Sequence, residues 1–277
     1  MCMNNDNTFN WVTDSFLDRD YNWTSTIAET RIITIPNNKN SIEQSERALN
    51  SCTRIDQPNA EIFWGYDGTD HRTIHTPEHL KNNDVMRWIK VLDPALSVTE
   101  VACALSHIAL WVRCITINRP IVILEHDSIM IRPFLTMSQT NCIEYLGHHR
   151  EMGYLISSQG YDTYPELVES YLDPRNYPPP TKRHPMISVI NYNYLYSMGL
   201  HAYAIDPFIA RRLFARVLTD GLINAVDTLV EVSDFELIQN EVYAFNSSQS
   251  KFSTIDKKDG TIMQGRKNTF SVPGVSQ

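Results

Sequence analysis

The chain has 277 residues, 42% of them apolar and 20% charged, an ordinary globular composition that bounds the fold to one large α/β domain or two small ones. The net charge of −8 counts against a general nucleic-acid binder, and the five cysteines show no CxxC spacing and so no zinc or disulfide framework. No apolar run approaches the ~20 residues of a membrane span, and the polar start, Met1 to Asn7, lacks the core of a signal peptide, so the expectation is a cytoplasmic protein with no membrane span.

In chain order, residues 1–29 are polar and aromatic without periodicity and read as a loose extension. Residues 31–35 (RIITI) read as a buried strand, and residues 41–52 as a helix with Ser41 as its N-cap. Residues 60–66 read as a second strand that ends at the turn Asp67-Gly68. Residues 99–118 carry Val101, Leu105, Ile108, Val112 and Ile115 at helical spacing. A strand follows at 120–127, another at 153–157, and a proline-rich loop at 173–193. A strand at 200–205 leads into Asp206-Pro207, where Asp as N-cap and Pro at the first helical position start a helix to about Thr219. A helix at 227–240 and a strand at 242–245 complete the pattern. Alternating strands and helices predict an α/β fold with a mainly parallel central sheet.

The stretch 120–127 (PIVILEHD) carries the most chemistry. Its apolar, β-branched run is that of a buried parallel strand, and it ends in Glu125 and Asp127 with His126 between them. Ligands of open α/β sheets bind beyond the carboxyl ends of strands, and carboxylates there suit magnesium or manganese, which take hard oxygen ligands. Strand alternation puts Glu125 and Asp127 on one face. His126 then either turns away from that face or ligates the metal as a neutral imidazole. The plainer reading makes the two carboxylates turn caps.

Six other positions have two readings each. Ser106 and His107, early in the long helix, either line a donor pocket or satisfy nearby backbone groups. They are not a nucleophile pair, because adjacent helical residues do not face one another. Asp67 either contacts a nucleotide or bonds its own turn. His71, His75 and His79 have the spacing of a metal stripe, but Pro77 breaks the helix that would align them, leaving a solvated surface.

Taken together, Glu100-x-x-Cys103-x-x-Ser106-His107, the helix, and Ile123-Leu124-Glu125-x-Asp127 resemble glycosyltransferase family 25, which includes bacterial lipooligosaccharide and collagen galactosyltransferases. The family's usual Leu-Glu-Asp-Asp has His126 in place of its first Asp here. Gly65-Tyr-Asp67-Gly68 is similar to the family's Ala-x-Asp-Gly turn, and Gly199-Leu-His201-Ala-Tyr203-Ala-Ile205 to its Gly-x-x-Ala-Tyr-x-Ile segment. Gln249 and Ser253-Thr-Ile255 resemble its terminal motif. Asn37 and Glu46-Arg47 match its opening motif only in part. The likeness divides the chain into the extension at 1–29, a transferase domain at 30–256 and a tail at 257–277.

The resemblance implies a GT-A-like fold and an inverting transfer of a hexose from a UDP-sugar to a hydroxyl acceptor, assisted by Mn2+ or Mg2+. It implies Asp127, with His126, at the metal; Asp67, Ser106, His107 and Glu125 at the donor; and Asp227 as general base, where the alternative is a helix N-cap. A saccharide is the acceptor expected. A hydroxylated base in DNA is the alternative: Tyr177, Tyr192, Tyr194 and Tyr196 suit stacking on sugars or on bases, and Arg211, Arg212 and Arg216 form a basic row on one predicted helix. The departure at His126 leaves open a nucleotide-sugar-binding protein without turnover, and a metal-dependent hydrolase is a third class.

Overall fold

The computed structural model describes residues 24–70, 72–137, 142–148, 187–190, 194–197, 200–229, 236–238 and 243–246. The sequence-predicted strand at 153–157 and His71 lie outside these residues, as do Tyr177, Tyr192, Gln249 and residues 253–255.

Two short pairings lie outside the main sheet. β1 (Ser25–Thr26) pairs with β6 (Thr136–Met137), and β9 (Ile187–Ile190) pairs with β10 (Tyr194–Ser197), both antiparallel. The centre is a six-stranded sheet. It contains β2 (Glu29–Thr34), β3 (Ala60–Trp64), β4 (Ile121–Glu125), β7 (Cys142–Tyr145), β11 (Ala202–Ile205) and β12 (Glu236–Ile238). The order is β12-β7-β11-β4-β2-β3. β3, β2 and β4 are mutually parallel, β11 runs antiparallel to both of its neighbours, and β12 is parallel to β7. The sheet is therefore mixed. β5 (Ser128–Met130), β8 (Gly147–His148) and β13 (Ala244–Asn246) form a smaller sheet beside it.

Alternation along the strands builds a layer on each face. Ile33, Ile121, Ile123, Tyr203 and Ile205 point to one core, shared with helices α2 (Val98–Ile117) and α3 (Pro207–Asp220). Ile32, Val122, Leu124, Ala202 and Ala204 point to the other, shared with α1 (Lys39–Arg54) through Ala48 and Cys52. Glu125 continues the 121–123 alternation and so comes out on the α2 side.

Local signals explain the helix ends. α1 starts two residues before the predicted Ser41: Asn38 is the N-cap, accepting from Ser41 N–H at 3.0 Å, while Ser41 Oγ accepts from Ile35 N–H at 2.9 Å. Ser97 caps α2 in a capping box with Glu100. Asp206 Oδ1 accepts from Ile209 N–H at 2.8 Å with Pro207 in the first helical turn, as the sequence predicts. α2 is long and apolar enough to cross a membrane, yet 72% of its most apolar stretch is buried inside the fold; it is a core helix packed against α3.

Two expectations fail in the C-terminal half. Of the helix predicted at 227–240, the described residues show α4 (Val226–Leu229) and, farther on, the strand β12. The span 173–193, predicted as loop, contains β9.

Candidate active site

Because β3, β2 and β4 are parallel, their carboxyl ends share one edge, with Thr34 level with Trp64 and Ile33 level with Glu125. The segments leaving that edge carry Asn37, Asp67 and Glu125. Asp67 is buried. Its Oδ2 accepts from Asn37 Nδ2 at 2.7 Å, and its Oδ1 accepts from the Thr69 N–H at 2.9 Å and hydroxyl at 2.6 Å. Burial pushes its pKa up, but the Thr69 and Asn37 hydrogen bonds and the charge of His75 outweigh burial and hold it below the ordinary value. Asp67 and His75 also exchange backbone hydrogen bonds at 3.0 and 2.8 Å, which makes His75 part of this turn. His79 stands edge-on to Phe63, with ring centroids 5.4 Å apart.

The Gly65-Tyr66 turn is held from α2. Ser106 Oγ accepts from Tyr66 N–H at 2.9 Å and donates to Ala102 C=O at 2.8 Å. His107, fully buried, faces β4 and β11 instead. Its Nδ1 lies 2.9 Å from Tyr203 Oη, which also accepts from Trp111 Nε1 at 2.9 Å. Its Nε2 lies 3.4 Å from Glu125 Oε1 but has no hydrogen-bond partner among the described residues. Burial raises the Glu125 carboxyl's pKa; contact with His107 and the charges of His107, His126 and His201 outweigh it and leave the carboxyl below its usual value.

β4 ends at Glu125, so strand alternation does not reach Asp127. His126 and Asp127 form the turn into β5, and both are buried. His126 Nε2 is buried without a hydrogen-bond partner among the described residues. The turn is tied to the start of β11: Glu125 N–H donates to His201 C=O at 2.8 Å, and Ser128 Oγ donates to the same carbonyl. His201 Nδ1 lies 2.9 Å from Tyr145 Oη, and its ring covers Gly147 so closely that a Cβ would not fit.

Cys103 stands one turn before His107 on α2. Burial pushes its thiol well above the ordinary range, and Glu125, Asp227, Asp127 and Glu100 add to the push. Asp227 lies in α4, after its first residue, Val226, so the helix-cap reading of Asp227 does not apply. Cys103, His107 and Glu125 bring one ligand atom each to within 4.8 Å of one another. His126 and Asp127 are not in that group.

The structure thus brings Glu125 and His107 together, while Asp127 and Asp227 act by charge on the Cys103 thiol; Asp67 and Ser106 serve the neighbouring turn. Sequence reasoning did not single out Tyr203, Trp111, Tyr145, His201 or Cys103 as site residues. The signal for Tyr203 was available: it stands two residues before Ile205 on a predicted strand, hence on the same face.

Asp67 and Glu125 thus stand at a parallel-strand edge, where open α/β sheets bind their ligands. The family model described as glycosyltransferase family 25 (LPS biosynthesis protein) matches residues 32–230, so the chain belongs to that family and is a glycosyltransferase, with a sugar donor and an acceptor. No curated protein matches it in sequence.

Proposed function

We propose that the protein transfers a hexose from a UDP-sugar to the hydroxyl of a saccharide, with inversion, on a GT-A-type fold. The observation that carries this reading is the common edge of β3, β2 and β4, where Glu125 meets His107 of α2 and Asp127 follows in the turn after β4. By chemical type the donors suit a hard divalent ion: Asp127 and Glu125 offer carboxylate oxygens, and His126 offers a buried ring nitrogen without a hydrogen-bond partner among the described residues. Manganese or magnesium bound there would neutralise the departing diphosphate, a charge-stabilising role.

The chain's own residues supply the rest. Glu125 addresses the ribose, while Asp67, Ser106 and His107 shape the donor side through the Gly65–Gly68 turn and α2. Asp227 takes the acceptor hydroxyl's proton as that oxygen attacks the anomeric carbon and the diphosphate leaves. Such base catalysis is worth about 10²–10⁴-fold.

The test incubates the protein and Mn2+ with radiolabelled UDP-galactose or UDP-glucose and separate pools of glycan, protein and hydroxymethylated DNA. Label is expected in glycan; label in DNA alone overturns the saccharide assignment. Asp127→Ala is expected to lose metal-dependent turnover while its circular dichroism matches the wild type. Undiminished turnover in that variant removes Asp127 from the site.

A further inference from the structure

We propose that Cys103 Sγ, His107 Nε2 and Glu125 Oε1 form a second, thiophilic metal site, selective for a tetrahedral ion such as zinc or cobalt, beside the hard-cation position at Asp127. The three ligand atoms already lie within 4.8 Å of one another. On a tetrahedral ion with bonds of about 2.0–2.3 Å, ligand atoms stand roughly 3.3–3.8 Å apart. The 3.4 Å between His107 Nε2 and Glu125 Oε1 is already such an edge.

His107 supplies the independent sign of a ligand. It is completely buried, and Nε2 has no hydrogen-bond partner among the described residues, its approach to Glu125 Oε1 being 3.4 Å, an arrangement that a metal between the two atoms would satisfy better. The other ring nitrogen is supported as in a metal-bound histidine. Tyr203 Oη stands 2.9 Å from Nδ1 and also accepts from Trp111 Nε1. A hydroxyl oxygen has two acceptor lone pairs, so with a metal on Nε2 the Tyr203 oxygen can take the His107 Nδ1–H beside the Trp111 N–H. A neighbour that fixes the tautomer in this way belongs to the usual outer shell of such centres.

Thiolate and imidazole select zinc or cobalt over magnesium and manganese, which prefer oxygen. The site is three-coordinate from protein and leaves a fourth position to water. The Glu125 side chain is 28% exposed, which gives the ion a way in. On binding, the Cys103 S–H bond breaks, the sulfur keeps the electron pair for the metal, and the proton leaves to solvent. No electron changes hands. Because Glu125 belongs to both sites, a thiophilic ion would withdraw it from the donor, so zinc would act as an inhibitor rather than a cofactor.

The experiment is a Co2+ titration of the full chain followed by absorption, with no sugar present, so its outcome is independent of the transferase reading. The expected result is a thiolate-to-cobalt charge-transfer band with intense d–d bands of a tetrahedral centre. Cys103→Ser is expected to abolish the charge-transfer band. Glu125→Gln keeps that band but weakens binding at least about 10-fold, and Tyr203→Phe weakens it about 10–100-fold. Weak octahedral-type bands without charge transfer overturn the proposal. So does a charge-transfer band that survives in Cys103→Ser, since another thiol then holds the metal, or an affinity unaltered in Glu125→Gln.

Discussion

At the scale of single residues, the approach of α2 to the turn after β3 depends on Gly65 having no side chain. A Cβ there would stand 2.6 Å from Ser106 Oγ and 3.2 Å from Ile33 Cγ2, and Ser106 Oγ is the acceptor for Tyr66 N–H. Gly65→Ala is expected to cost about 1–3 kcal/mol by overpacking. Ser106→Ala costs about 1–3 kcal/mol as well, because the Tyr66 N–H is left buried without its acceptor. The double variant is expected to fall short of the sum by about 1 kcal/mol or more, since removing the hydroxyl also removes the clash. Urea denaturation of the four proteins measures this, and strict additivity would show that the Ser106 hydroxyl is not what Gly65 accommodates. The same pair shows where sequence reading stops. Ser106 and His107 lie on a helix buried nearly all round, with no polar face to mark their orientation, so only the packed structure separates Ser106, which holds a turn, from His107, which faces Glu125.

At the scale of elements, β2 is tied to α2 and β3 by charge. Glu29 on β2 meets Arg31 at 2.6 Å and Arg113 Nη2 on α2 at 2.7 Å, while Arg31 also contacts Glu61 on β3. Burial pushes the Glu29 carboxyl up, but the two arginines prevail and hold it at about 2, against an ordinary 4.5. A folded-state pKa below the unfolded one means that Glu29 contributes stability above the unfolded value. That contribution is lost as pH falls from about 4.5 through about 2. The shift corresponds to at most about 3 kcal/mol, and water screening of the partly exposed Arg113 reduces it to roughly 1–2 kcal/mol. Glu29→Gln is therefore expected to be less stable than wild type at neutral pH, with the gap closing as pH drops through that window; denaturant unfolding along a pH series reads it. A gap that is constant with pH would mean that Glu29 acts through packing alone. The parallel half that this tie secures was the legible half. The strands at β2, β3 and β4 follow from apolar runs, α2 from the helical spacing of its apolar residues, and the α3 start from its capping residue. Glu125 on the α2 face follows from two-residue alternation. The alternation was extended two residues too far, because nothing in His126-Asp127 announces that β4 stops and turns.

At the scale of the whole molecule, strand direction was the illegible part. Ala202–Ile205 is buried at every position, and such a run looks the same whether its neighbours are parallel or antiparallel. Strands as short as Glu236–Ile238 owe their existence to the partner β7 rather than to local propensity. The molecule's charge bears on the acceptor. With a net charge of −8, binding DNA would rest on the basic row of α3, and those cations have partners within the fold. Arg211 donates to Asn118 Oδ1 at 3.1 Å, the Arg212 guanidinium lies 5.9 Å over the Phe208 ring, and Arg216 pairs with Asp220 at 3.6 Å. Of these contacts only that of Arg216 is with an opposite charge, worth about 0–1 kcal/mol when exposed, so by these contacts Arg211 and Arg212 leave α3 a small positive excess to set against the chain's −8. Saccharide transfer involves no release of condensed counterions, so with subsaturating acceptor its rate is expected to change less than about 2-fold between roughly 50 and 200 mM salt. An acceptor held through three phosphate contacts would lose affinity by roughly 40-fold over the same range. Initial rates at fixed UDP-sugar across a sodium chloride series decide between them: a flat profile fits a neutral glycan acceptor, and a steep log–log decline would assign the α3 arginines to a polyanion.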